Sequence, residues 1–166
     1  MKGKLKHVLI TAVLLFSCKP SIYLHSNINS MGGLDMDGGI YISNFENYSI
    51  VEKDFRAKFN LELQNREYLI VDNLLKSKYY LIINFIEYFS YKNNPSKSKK
   101  NIKIMIALTD SKYFKISLKD ILKNGHSIWD CKVDLSYIEY LEHQDIIIKT
   151  IVNKFLTMSS GKTLLI

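Results

Sequence analysis

Two cysteines, two prolines, seven glycines and one tryptophan are all that this chain of 166 residues carries of those types. With Cys18 and Cys131 as the entire thiol inventory, at most one disulfide could form. Zinc lacks its ligands as well, because His25, His126, His143 and Cys131 show none of the paired spacings that close a tetrahedral site. No apolar run approaches the roughly 20 residues needed to cross a bilayer as a helix. The Gly-x-Ser-x-Gly pattern, which exposes a nucleophilic serine on a strained turn, does not occur. Alanine is scarce while Lys, Ile, Asn and Tyr abound, a bias that AT-rich coding produces unaided. A single Lys therefore reads first as part of a solvated face.

What is present is apolar material, 47% of the chain, sufficient for one core and too little for two. The first eighteen residues are the most specific stretch. Lys2, Lys4 and Lys6 precede an apolar run from Val8 to Phe16, interrupted only by Thr11, and Leu15-Phe16-Ser17-Cys18 follows at once. A basic start, a short apolar centre and a small residue before the cut are the parts of an export signal. The last four residues resemble the lipobox of bacterial lipoproteins, with Leu three positions before the cysteine. That resemblance implies cleavage before Cys18 and acylation of its thiol. Cleavage would remove 17 residues and three lysines, lowering the net charge from +7 to +4 and leaving Cys131 as the one free thiol.

Residues 18–39 are rich in Ser, Asn and Gly and read as a flexible tether, with a single folded domain over 40–166. Ile40, Tyr41 and Ile42 read as a short strand, and Asn47 and Ser49 offer helix N-caps. Val51, Phe55, Phe59 and Leu63 recur every four residues, predicting an amphipathic helix over 50–66. A second short strand falls at 68–71 and a long one at 79–91, where Tyr79, Leu81, Ile83, Phe85 and Phe89 share a face. Residues 92–101 read as a loop. Alternation then marks strands at 102–108 and 114–118, joined by a turn at 109–112. A helical turn at 118–122 ends at Asn124-Gly125, and 126–133 is ambiguous between strand and loop. Capping residues near Ser136 open a last helix, whose stripe of Leu141, Gln144, Ile148, Ile151 and Phe155 runs to about Met158, with Gly161 as its stop. The expected fold class is α+β, two helices packed on one face of a mainly antiparallel sheet.

Motifs that suggest chemistry fail on context. Ser159 to Thr163 ends in Gly-Lys-Thr, yet a phosphate loop needs Gly where Leu156 stands and must follow a strand. Asp35, Asp37 and Glu46 match three positions of a calcium loop, but Ile40 occupies the obligatory glycine position. His126 and His143 as bases, with Ser127 or Cys131 as nucleophile, form no recognisable catalytic set, and Trp129 reads as a core or rim anchor. The expectation is a protein without enzymatic activity, metal or cofactor. Lys92, Lys97, Lys99, Lys100 and Lys103 crowd around one loop, where they would attract a phosphate-bearing surface or else keep a hairpin tip solvated. Export argues against nucleic acid as that partner.

Residues 39–49, Gly-Ile-Tyr-Ile-Ser-Asn-Phe-Glu-Asn-Tyr-Ser, resemble the opening of LptE-like lipopolysaccharide-assembly lipoproteins. There a short strand enters a turn matched here by Phe45, Glu46 and Asn47, with Tyr48 in place of the family's Arg. The same opening is similar to that of CsgG-like and LpoB-like envelope lipoproteins. The first resemblance implies an outer-membrane lipoprotein that acts as accessory or plug of a β-barrel glycolipid translocon. It would present Lys97, Lys99 and Lys100 to glycolipid phosphates or to the barrel wall. The second implies a regulatory module contacting a synthase or secretion pore, and a surface lipoprotein facing a host is a third expectation.

Overall fold

The computed structural model describes residues 22–29, 36–43, 48–91, 98–157 and 161–164. Alternating apolar residues build three long strands, β4 (Tyr79–Ser90), β5 (Lys99–Asp110) and β6 (Ser127–Ser136), into an antiparallel meander. Shorter strands flank it: β1 (Tyr23–Ile28), β2 (Ile40–Ile42), β3 (Ile70–Val71) and β7 (Gly161–Leu164). Together they form one seven-stranded sheet in the order β3-β2-β4-β5-β6-β1-β7, with β2 parallel to both of its neighbours and every other pair antiparallel. Gly39, at φ +61°, turns the chain into β2, and a Cβ there would press on the Lys76 carbonyl at 3.2 Å.

Three helices complete the fold: α1 (Ile50–Asn65), α2 (Leu118–Lys123) and α3 (Tyr137–Leu156). Ser49 caps α1 by accepting from the Glu52 amide at 3.2 Å. At α3, Ser136 and Glu139 form a reciprocal capping box, the expected signal near Ser136. Both long helices lie on one face of the sheet. Phe55, Phe59 and Leu63 from α1 and Ile147, Ile151, Val152 and Phe155 from α3 join Leu81, Ile104, Ile106, Trp129 and Val133 in one core. Each such side chain, fully withdrawn from water, contributes about 1.5–3 kcal/mol against the chain entropy lost on folding. This is the α+β arrangement the pattern predicts.

Four expectations require correction. The stretch read as tether contains β1, an interior strand between β6 and β7, with Leu24 opposite Val133 and completely buried. Only Ile22, Leu24 and Ser26 point inward, so the alternation is short and its polar partners imitate a linker. Residues 114–118 are not a strand. Asp110 accepts from the Lys112 amide and Ser117 from that of Asp120, so two caps curl the chain into a 3-10 turn at Ser111–Tyr113 and then into α2. The third strand of the meander is β6, the segment that read as ambiguous. Gly161 opens β7 rather than stopping α3, whose C-cap is Thr157. Finally, Leu141 is exposed while Tyr140 is buried, because His143, at φ −127° and ψ 16°, kinks α3 and rotates its first turns relative to the rest.

Among the described residues, the opposite face of the sheet is covered at one corner. There Tyr80, Ile82 and Ala107 bury against Leu118 and Ile121 of α2, with Tyr113 and Ile116 beside them.

Candidate functional site

Cys18, Phe45, Glu46, Asn47 and Lys97 lie outside the described residues. Lys99 and Lys100 are described, and they are not loop residues: both belong to β5, opposite Ser90 and Phe89. Strand alternation therefore sends them to opposite faces. Lys100 turns to the helix side, where its ammonium pairs with Glu87 and lies 3.9 Å from the centre of the Tyr137 ring. The hydrogen bond from Lys100, then that from Ser49 at 2.5 Å, holds the Glu87 carboxyl below its ordinary range. Lys100 is thus engaged inside the protein, whereas Lys99 is exposed on the other side.

Among the described residues, that other side is a largely open sheet face. Cross-strand register places Lys103 of β5 opposite Asp134 of β6, and Met105 opposite Lys132. Lys132 in turn faces His25 of β1, which faces Lys162 of β7, so two ammonium groups flank an imidazole across three adjacent strands. Strand spacing of roughly 4.8 Å brings such neighbours within reach of one bound anion. The Lys162 ammonium lies 3.6 Å from the centre of the Tyr23 ring. The acids of this face are already occupied. Asp130 accepts from Asn27 at 2.9 Å and from Asn29 at 3.0 Å, and Asp134 accepts from the Tyr88 hydroxyl at 2.6 Å. The Asp134 bond also raises the Tyr88 pKa. With Lys99, Lys103, Lys132 and Lys162 against Asp130 and Asp134, the described face is net positive.

Sequence spacing hides this site, since Lys162 and His25 meet only through the β1–β7 pairing. The one signal available is the alternation of Asp130, Lys132 and Asp134 between buried Trp129, Cys131, Val133 and Leu135, which marks one face of β6 as solvated.

The nucleophile and base candidates do not converge. Cys131 is buried among core side chains, and burial pushes its thiol well above the usual range. His126 stacks on Tyr113 with ring centres 4.4 Å apart. His143 sits at the kink of α3, 3.9 Å from Glu142. Ser127 is buried and its hydroxyl meets Asn29 at 2.6 Å and Asp130 at 3.3 Å. Trp129 is a core residue, edge-on to Phe155 at 5.3 Å. Among the described residues no group of three or more His, Cys, Asp or Glu could hold a metal ion, and no described helix is long and apolar enough to cross a membrane.

A polar seam joins the two long helices. Gln144, expected in the apolar stripe, donates to Asp54 at 2.7 Å and to the Tyr140 hydroxyl at 2.8 Å while accepting from Lys58 at 2.7 Å. Every arm of its amide is used, so the seam fixes how α1 and α3 sit together. Arg56 plays the same part between α1 and the sheet, donating to the carbonyls of Ser43 at 3.0 Å and Ile83 at 2.7 Å and pairing with Glu52 at 2.8 Å.

No protein-family model matches the chain, and no curated protein matches it. Among solved structures, a PDZ domain protein from Parabacteroides distasonis aligns with 87% of this chain at 14% identity and a TM-score of 0.40, and the chain spans 38% of that protein. The PelC dodecamer from Paraburkholderia phytofirmans aligns with 68% of this chain and 80% of its own at 13% identity and a TM-score of 0.40. A minor lipoprotein from Acinetobacter baumannii aligns with 76% of this chain and 98% of its own at 10% identity and a TM-score of 0.39. Likeness of this degree carries no functional argument.

Proposed function

We propose that this protein is an acyl-anchored envelope lipoprotein that works by docking, as a non-enzymatic accessory of an outer-membrane β-barrel that moves an anionic glycolipid. The observation that carries the reading is the open, net-positive sheet face, with Lys103, Lys132, His25 and Lys162 displayed on four neighbouring strands. Its chemistry suits a surface bearing phosphates or carboxylates, and the rigid ladder beneath holds the charges in a fixed array. The leader and the Leu15-Phe16-Ser17-Cys18 motif support placement on a membrane. The Phe45-Glu46-Asn47 motif supports the LptE-like assignment by its sequence.

Affinity purification of the full chain from its own envelope, with a photo-crosslinking residue at position 132, tests the reading. A stoichiometric β-barrel partner joined through position 132, and lost when Lys103, Lys132 and Lys162 are changed to Glu, is the expected result. Recovery of a peptidoglycan synthase instead, or of no partner, would overturn it.

A further inference from the structure

Ile22, four residues after Cys18 in the chain, and a group of exposed apolar side chains lie at the same end of the sheet. Register fixes this. Leu24 of β1 is level with Val133, Ile104 and Phe85, so Ile22, two positions further out, stands only two positions short of Phe89. At about 3.3 Å per residue that difference is roughly 7 Å. Cys18 precedes the buried Ile22 by four residues, and four extended residues span at most about 14 Å, so an acylated Cys18 cannot stand far from this end. Both long helices also begin here. Ser49, just before α1, bonds to Glu87, and Ser136, just before α3, is opposite Asn101. The side chains displayed are Ile50, Phe89, Tyr91 and Ile138, with 86%, 56%, 69% and 68% of their surface exposed.

Resting on the anchored reading above, we propose that this end of the domain sits in the headgroup region of the phospholipid bilayer that holds the anchor. Two Ile and one Phe supply apolar area, Tyr91 offers a ring with a polar tip, and exposed Lys99 beside them faces lipid phosphates. With β1 starting so near Cys18, the sheet stands on the membrane instead of swinging on a long tether. The strands then run away from the bilayer, and the row of Lys132, His25 and Lys162, six positions up the ladder from Lys99, is left free for a protein or glycolipid partner.

The test uses the full chain in isolated native membranes, with p-benzoylphenylalanine placed singly at positions 89, 91 and 75, irradiation, and mass analysis of the peptides. Leu75, 92% exposed, lies just before β4 at the opposite end and serves as the control. Phospholipid adducts at 89 and 91 with none at 75 are expected. Protein adducts, or none, at 89 and 91 would overturn the proposal, as would equal lipid adducts at 75. The Cys18 peptide from the same digests reads the anchor separately. An acylated Cys18 without lipid adducts at 89 and 91 sinks the seating alone, and an unmodified Cys18 in a soluble fraction sinks the anchored reading.

Discussion

The two faces of the sheet are built from the same strands, yet they obey different rules. Along β6, Trp129, Cys131, Val133 and Leu135 enter a core closed by α1 and α3, while Asp130, Lys132 and Asp134 meet water or one another's neighbours. On the covered side, volume decides what is allowed, because close packing leaves a smaller side chain with a void. On the open side, charge and hydrogen bonding decide, and substitution costs little unless a partner is present. A one-residue slip of β6 would exchange the two sets, so the core holds the charged row in place as firmly as it holds itself.

The sharpest way to break this contrast is at Trp129. Replacing it with Ala should cost about 4 kcal/mol, measured by urea unfolding, since its ring is fully buried against Phe155. Leu24→Ala should cost about 3 kcal/mol in the same assay, although the sequence around it reads as linker. A change within error there would remove β1 from the cooperative core. Next comes Glu87, whose carboxyl pKa is held down by Lys100 and Ser49. A depressed folded pKa gives stability that is present above the unfolded pKa and lost as pH falls through the folded one. The melting advantage of the native protein over Glu87→Gln should therefore be full at neutral pH and fade as pH drops below the ordinary carboxylate value of 4.5. An advantage that persists in acid would mean that Glu87 acts through shape. The smallest effect belongs to Lys132→Ala, which should leave unfolding within about 0.5 kcal/mol of the native protein, being exposed and without a burial role. A large loss would show the open face to be structural.

The elements most legible in the sequence were those whose apolar period was long and whose ends were capped. Phe55, Phe59 and Leu63 marked α1, and Ser136 with Glu139 marked α3, because helix periodicity and capping are local. The strand β1 escaped because Leu24 and the preceding Ile22 make too short an apolar alternation, and its pairing partners lie about a hundred residues downstream. Residues 114–118 misled for the opposite reason: their alternation is real, but Asp110 and Ser117 spend their side chains on backbone amides and turn the chain. The lysines near 99 were visible as composition, and their division between Glu87 and open solvent was not, since strand parity depends on where β5 begins.

By itself, then, the sequence determined the α+β class and the two long helices with most of their buried stripes, which follow from local period and capping. Only the tertiary structure decided that Lys103, Lys132, His25 and Lys162 share one surface and that β1 begins, just after Ile22, at the end where Phe89 and Ile138 are displayed. Strand order and register are set by which partners bury the most apolar area together, a property of the whole chain that no window along it contains.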